Sequence, residues 1–223
     1  MDIGNTIQQF SIFLLPVLFA ITVHEAAHGW MAMKHGDKTA MMLGRVTLNP
    51  FKHIDPVGTI LVPTATFFLS GFLFGWAKPV PVNWRNLHNP RRDMAYVALA
   101  GPGANLLMAI GWALAIKIGV MLMPYSEWVG LPLVYMGGAG VLINTLLMVL
   151  NMMPVLPLDG GRILNSLLPP KLAYQFSRLE PFGMFIVIGL LLMTPVPEKV
   201  LLPLVMFTID ILPASEIVKE IYF

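Results

Sequence analysis

Apolar residues run almost unbroken through residues 7–23, return over 57–76, 94–123 and from 131 to about 150, and close the chain as two shorter runs at 182–194 and 200–212. A run of about 20 apolar residues is long enough to cross a ~30 Å hydrocarbon layer as a helix. The pattern predicts an all-α polytopic membrane protein, a helical bundle forming one integral-membrane domain over residues 1–223. Its first helix is expected over residues 6–33. The second run differs, being broken by Pro63 and carrying Gly58, Gly71 and Gly75. Lys34, Lys38, Arg45 and Lys52 lie before it, and Lys78, Arg85, Arg91 and Arg92 after it. Basic loops mark the cytoplasmic face, so both flanks belong there and the N-terminus outside. Residues 57–76 are then a re-entrant segment, permitted where its backbone is buried in protein or lines a cavity.

The outside loop at 124–130 contains Glu127 and no Lys or Arg. The last two runs, parted by Pro195-Val196-Pro197, predict a short hairpin out and back. Residues 41–48 read as a short β-hairpin or extended segment on the cytoplasmic side, closed by Asn49-Pro50, because proline bars helix from the residue before it. A strand edge there could hold an extended peptide by backbone pairing; the alternative is a plain connection.

Composition agrees, with 57% hydrophobic and 12% charged residues against roughly 25% charged in soluble domains, and a mean hydropathy of +0.73. The net charge of +2 comes from short loops, so it reports orientation and gives no reason to expect nucleic acid. With no cysteine, disulfides and thiolate ligands are excluded, and a metal must be held by nitrogen and oxygen. The first apolar run has no basic residue before it, which argues against a cleavable signal peptide. Trp76, Trp84 and Trp128 suit interfacial anchoring. The 16 methionines suit adaptable packing.

The chemistry concentrates in His24-Glu25-Ala26-Ala27-His28. On a helix, His24 and His28 stack one turn apart and can share a divalent ion, with Glu25 within reach of a water on it. Two imidazoles and a carboxylate on an apolar helix are costly, which makes them a functional site by default. Catalytic zinc takes three protein ligands and keeps one position open. The third is expected to be a carboxylate at membrane depth. Asp159, flanked by Pro154, Pro157 and Gly160-Gly161, is preferred over Asp210, which lies in an ordinary apolar run. Glu25 is then the group that takes a proton from water and hands it to a leaving amine. Asn105, in the small-residue patch 100–105, reads as an interhelical hydrogen bonder, and His35, His53 and His88 as interfacial.

The motif at 24–29 together with residues 151–162, supported by Ala100-Gly101-Pro102 and by residues 48–58, resembles the site-2 protease family of intramembrane zinc metalloproteases. The resemblance covers the chain from its first helix to about residue 165 and implies one Zn2+ per chain on His24, His28 and Asp159, with Glu25 as catalytic acid and base. It also implies that Asn151 binds the substrate backbone or oxyanion, the alternative being a helix-breaking cap. The implied partners are transmembrane protein or peptide substrates, cut within the bilayer of the cell membrane by a site facing the cytoplasm. Unlike many members, the chain is expected to lack an inserted PDZ-like domain, appended CBS domains and an additional span before the HEAAH helix. A membrane metal-binding or metal-transport protein is the rival reading, but it has no need of Glu25 and would be expected to show internal repeats. A polar channel is expected on the cytoplasmic side, lined by residues 44–50 and 57–76.

Overall fold

The computed structural model describes residues 3–61 and 78–223. Among them, four helical stretches are long and apolar enough to cross a membrane: Ser11–Lys34, Pro90–Leu122, Glu127–Asn151 and Pro170–Met193. The first lies in helix α1 (Ile3–Lys34). A single helical turn, α2 (Thr39–Met42), follows. The long hairpin is α3 (Pro90–Leu122) and α4 (Glu127–Asn151). After a proline-rich break come α5 (Asp159–Leu167), α6 (Pro170–Ser177), α7 (Gly183–Met193), α8 (Leu202–Asp210) and α9 (Ser215–Tyr222).

α3 starts at Pro90 rather than near residue 94. Proline suits the first helical position because its missing N–H would have no partner there, and Asp93 reaches back to accept the Asn89 N–H at 2.7 Å. α3 and α4 meet through glycine. A Cβ on Gly130 would lie 2.7 Å from the Gly119 carbonyl oxygen, and one on Gly119 would lie 2.9 Å from that of Gly130. Trp112 lies against Gly140, where a Cβ would come within 2.2 Å of the indole. Small residues let backbones approach closely where lipid offers no hydrophobic drive between helices. α1 packs across both members of this hairpin. The core between them is filled by Ala109, Ala113, Ile116, Val134 and Val141, and is extended by Val205, Ile209 and Val218 from α8 and α9.

α1 and α3 run antiparallel, and their ends are tied: the His88 N–H donates to the His35 carbonyl at 2.9 Å, and His35 lies 3.2 Å from the Asp93 carboxylate. Nearer the second apolar run, the Lys78 N–H donates to the His53 carbonyl at 2.9 Å. The two flanks of residues 57–76 therefore meet at one end of the bundle. The run itself is described only to Leu61, as a wide turn over Pro56–Leu61. The expected re-entrance at 62–76 lies outside the described residues.

The expected β-hairpin is not found: no strand occurs among the described residues. Buried Asp37 accepts both the N–H and the hydroxyl of Thr39 and so starts α2, which takes residues 41–42 of the expected extended segment into a helical turn. Gly44, at φ +63°, ends the turn, with its N–H on the Met41 carbonyl and that of Arg45 on the Ala40 carbonyl. That is a helix C-terminal closure that satisfies two free carbonyls and needs a left-handed residue. The final hairpin also differs. α6 and a tight turn at Glu180–Phe182 lead into α7, so the apolar stretch reaches back to Pro170.

Asp37 also binds the chain beyond residue 78, accepting from the Asn83 N–H at 2.7 Å and from the Asn86 amide at 3.0 Å. Burial pushes its carboxyl up, but the bonds from Thr39, Asn86 and Asn83 outweigh this and hold it below the usual carboxylate value. Its contribution to stability is complete above the ordinary carboxylate range and is lost as pH falls through the lowered native value. Melting temperature followed against pH in detergent should fall less steeply on the acid side in Asp37→Asn than in the wild type. In the hairpin, Gly130→Ala sets a side chain against backbone and should cost about 1–3 kcal/mol. Gly111→Ala, where a Cβ meets nothing within 4 Å, should be neutral or stabilising by up to ~1 kcal/mol. Equal melting temperatures for these two variants would contradict the packing described.

Candidate metal centre

His24 and His28 project from one face of α1 towards α3, with ring centroids 4.6 Å apart. Three residues of α3 at one-turn spacing receive them. His28 Nδ1 bonds the Val97 carbonyl at 2.7 Å, and His24 Nδ1 bonds Asn105 Oδ1 at 2.5 Å. Between the two lies Gly101, where a Cβ would fall 2.4 Å from His28 Nε2 and 2.6 Å from His24 Cε1. Any larger residue would occupy the space of the rings. With each Nδ1 facing an oxygen acceptor, each ring has Nε2 left over, and these two atoms face each other at 3.0 Å.

Asp159 arrives from the other side. α4 ends at Asn151 and the chain breaks through residues 152–158 before α5 begins at Asp159. Gly160 and Gly161 let the first turn of α5 press on that break. A Cβ on Gly160 would lie 2.2 Å from the Met152 carbonyl oxygen, and one on Gly161 would lie 2.4 Å from the Leu156 nitrogen. The buried Asp159 carboxylate is thereby held with Oδ2 3.3 Å from Nε2 of each histidine. Oδ2 has no hydrogen-bond partner.

The residues fit a zinc ion. The ligand atoms of His24, His28 and Asp159 all lie within 4.8 Å of one another. The triangle of 3.0, 3.3 and 3.3 Å is close to the edge of about 3.3 Å in a tetrahedron with bonds of ~2.0–2.1 Å. Two nitrogen lone pairs and an unsatisfied buried carboxylate oxygen converge, which is a donor set that wants a cation. Asp210 is elsewhere, exposed and paired with Lys219 at 2.5 Å.

Glu25, half-buried beside His24, is not in the triangle. Its Oε2 accepts the Val80 N–H at 2.7 Å. Val80 belongs to the extended connector at 78–83, whose Lys78 carbonyl accepts from the Arg45 guanidinium at 2.9 Å. Asn151 closes α4 with its side-chain amide donating to the Leu147 carbonyl at 2.9 Å, and it does not join the triangle. His53 bonds the Thr47 carbonyl at 3.1 Å, and neither it nor His35 belongs to the group.

Asn105 is an interhelical hydrogen bonder, as the sequence suggests, and the donor it accepts from is a site histidine. The signal for that was its position one turn after Gly101 on the same face of α3. The parts played by Gly101 and the Val80 N–H had no comparable signal.

The chain is 38% identical to YwhC of Bacillus subtilis over 86% of its own length and 84% of the relative, a protein provisionally named a zinc metalloprotease. It is 28% identical to Rip2 of Mycolicibacterium smegmatis, which bears the same provisional name, over 93% of this chain and 78% of that one. To zinc metalloprotease MJ0392 of Methanocaldococcus jannaschii it is 26% identical over 78% of this chain and 41% of the relative. No family model and no solved structure matches it.

Purified protein should hold about one zinc per chain by atomic absorption. Asp159→Ala and His28→Ala should lose it, because a catalytic site keeps only three protein ligands. Gly101→Leu should lose it as well, by filling the ring space. Full occupancy in Asp159→Ala would exclude Asp159 as a ligand.

Proposed function

This chain belongs to the zinc metalloprotease family of YwhC and Rip2, and from that premise we propose that it is an intramembrane endopeptidase of the site-2 protease kind. It hydrolyses peptide bonds within transmembrane segments of other proteins in the cell membrane. The observation that supports this most is the His24, His28 and Asp159 triangle, set between a helix apolar and long enough to span and the break that follows another. Polar groups at such depth are functional by default.

Zinc, when bound by these residues, supplies the Lewis acidity that makes water a nucleophile near neutral pH. The chain's own residues do the rest. The Val80 N–H fixes one oxygen of Glu25, leaving the other to take the proton of the attacking water and deliver it to the departing amide nitrogen. Asn151, at the break, binds the opened substrate backbone. A helical substrate has its amides bonded internally and must unwind first, so segments with Gly, Pro or Asn near the scissile bond are cut faster.

The site faces the cytoplasm, with Lys34, Lys38, Lys52 and Lys78 on that side. A re-entrant course for residues 57–76 is supported by the bond between His53 and Lys78 across its base. Cleavage of a single-span substrate in proteoliposomes tests the reading. Glu25→Gln should keep its zinc and its fold while turnover falls by ~10²-fold or more. Undiminished proteolysis in that variant would remove Glu25 from the mechanism. A protein that binds zinc but cleaves no membrane segment would fit metal handling instead.

A further inference from the structure

Behind His24, a line of hydrogen bonds runs through three helices. Asn144 on α4 and Asn105 on α3 are both fully buried. Asn144 Nδ2 donates to the Gly140 carbonyl at 2.8 Å, Asn105 Nδ2 donates to Asn144 Oδ1 at 2.8 Å, and Asn105 Oδ1 meets His24 Nδ1 at 2.5 Å. The direction of this line is fixed at its far end, and the Ala20 carbonyl, a longer contact at 3.4 Å from Asn105 Nδ2, favours the same orientation. A backbone carbonyl can only accept, so Asn144 must turn its nitrogen to Gly140 and its oxygen to Asn105. Asn105 must then turn its nitrogen to Asn144 and its oxygen to His24. An amide oxygen also only accepts, so the proton of the neutral His24 ring sits on Nδ1 and the lone pair on Nε2, the atom 3.3 Å from Asp159. His28 needs no such relay, because the Val97 carbonyl holds its Nδ1 directly.

We propose that Asn144 is a positioning residue for the metal site: acting through Asn105, it locks the tautomer and orientation of His24 from a helix that supplies no metal ligand. The inference rests on the reading of His24 as a ligand. Groups that orient a ligating histidine are worth about 10–100-fold in metal affinity.

Zinc affinity of the purified full chain, measured by chelator competition in detergent, tests this without any proteolysis assay. Asn105→Leu should weaken zinc binding about 10–100-fold, and Asn144→Leu about tenfold. The double variant should be no weaker than Asn105→Leu alone, since both act along one line. Asn144→Asp should stay within about threefold of wild type, because a neutral carboxyl can donate to Gly140 and accept from Asn105 with the same two oxygens. Melting of the metal-free proteins separates this from packing damage, which lowers melting temperature without the Asp rescue in affinity. Should Asn144→Leu fail to fold, Asn144→Ser takes its place, since its hydroxyl can bond its own helix but is too short for Asn105. Wild-type affinity in Asn144→Leu or in its Asn144→Ser substitute, or losses that multiply in the double variant, would overturn the relay. A wild-type chain that binds no zinc would overturn both the relay and the metal site on which it rests.

Discussion

The site depends on how closely the backbone of α3 approaches the two imidazoles of α1. Val97, Gly101 and Asn105 fall one turn apart on α3, as His24 and His28 do on α1, and the two helices run antiparallel. His28 therefore meets the carbonyl of Val97, His24 meets the side chain of Asn105, and the gap between them is Gly101. A polar atom among apolar helices must find a protein partner because bulk water is absent. Each ring finds an acceptor for Nδ1 in α3, and each is left with Nε2 directed at Asp159. One interhelical contact thus satisfies the rings, sets their tautomers and aims them.

The same economy holds on the opposite side of the triangle. Asp159 is an ordinary first-turn residue of a short helix, and its placement is decided by Gly160 and Gly161, which allow that helix to lie against the backbone of residues 152–156. An unpaired buried carboxylate oxygen is normally a defect costing ~1–3 kcal/mol or more. Here the orphan Oδ2 stands at equal distance from two imidazole nitrogens, and a cation shared among the three would remove the cost. A metal bound there would couple its binding to folding of the α4–α5 break.

Glu25 illustrates a separate constraint. It shares α1 with the histidines but is not part of their triangle, and one of its oxygens is held by the connector at 78–83. That connector is a strap with anchors along its length: the His53 carbonyl and the Arg45 guanidinium at Lys78, Glu25 at Val80, and Asp37 at Asn83. Val80 itself is buried against Gly29, one turn beyond Glu25. The strap thus ties the carboxylate of α1 to both flanks of the second apolar run. On the proposed mechanism, it leaves one carboxylate oxygen for proton transfer.

The linear sequence determined the features that depend on periodicity and local chemistry. Apolar runs located α1, α3 and α4, the spacing of His24 and His28 put them on one helical face, and the prolines and glycines around Asp159 marked the break that presents it. Those properties are carried by neighbours in the chain. What only the tertiary structure decided is carried by distant pairs: Asn105 with His24, Gly101 beneath both rings, and the Val80 N–H on Glu25. The missed turn at residues 39–42 has the same origin, because Asp37, which starts it, is itself held by Asn83 and Asn86 from across the connector. A hydrophobicity pattern cannot register a bond between residues 24 and 105. That bond exists because two antiparallel helices, each with its own local logic, meet at a single glycine.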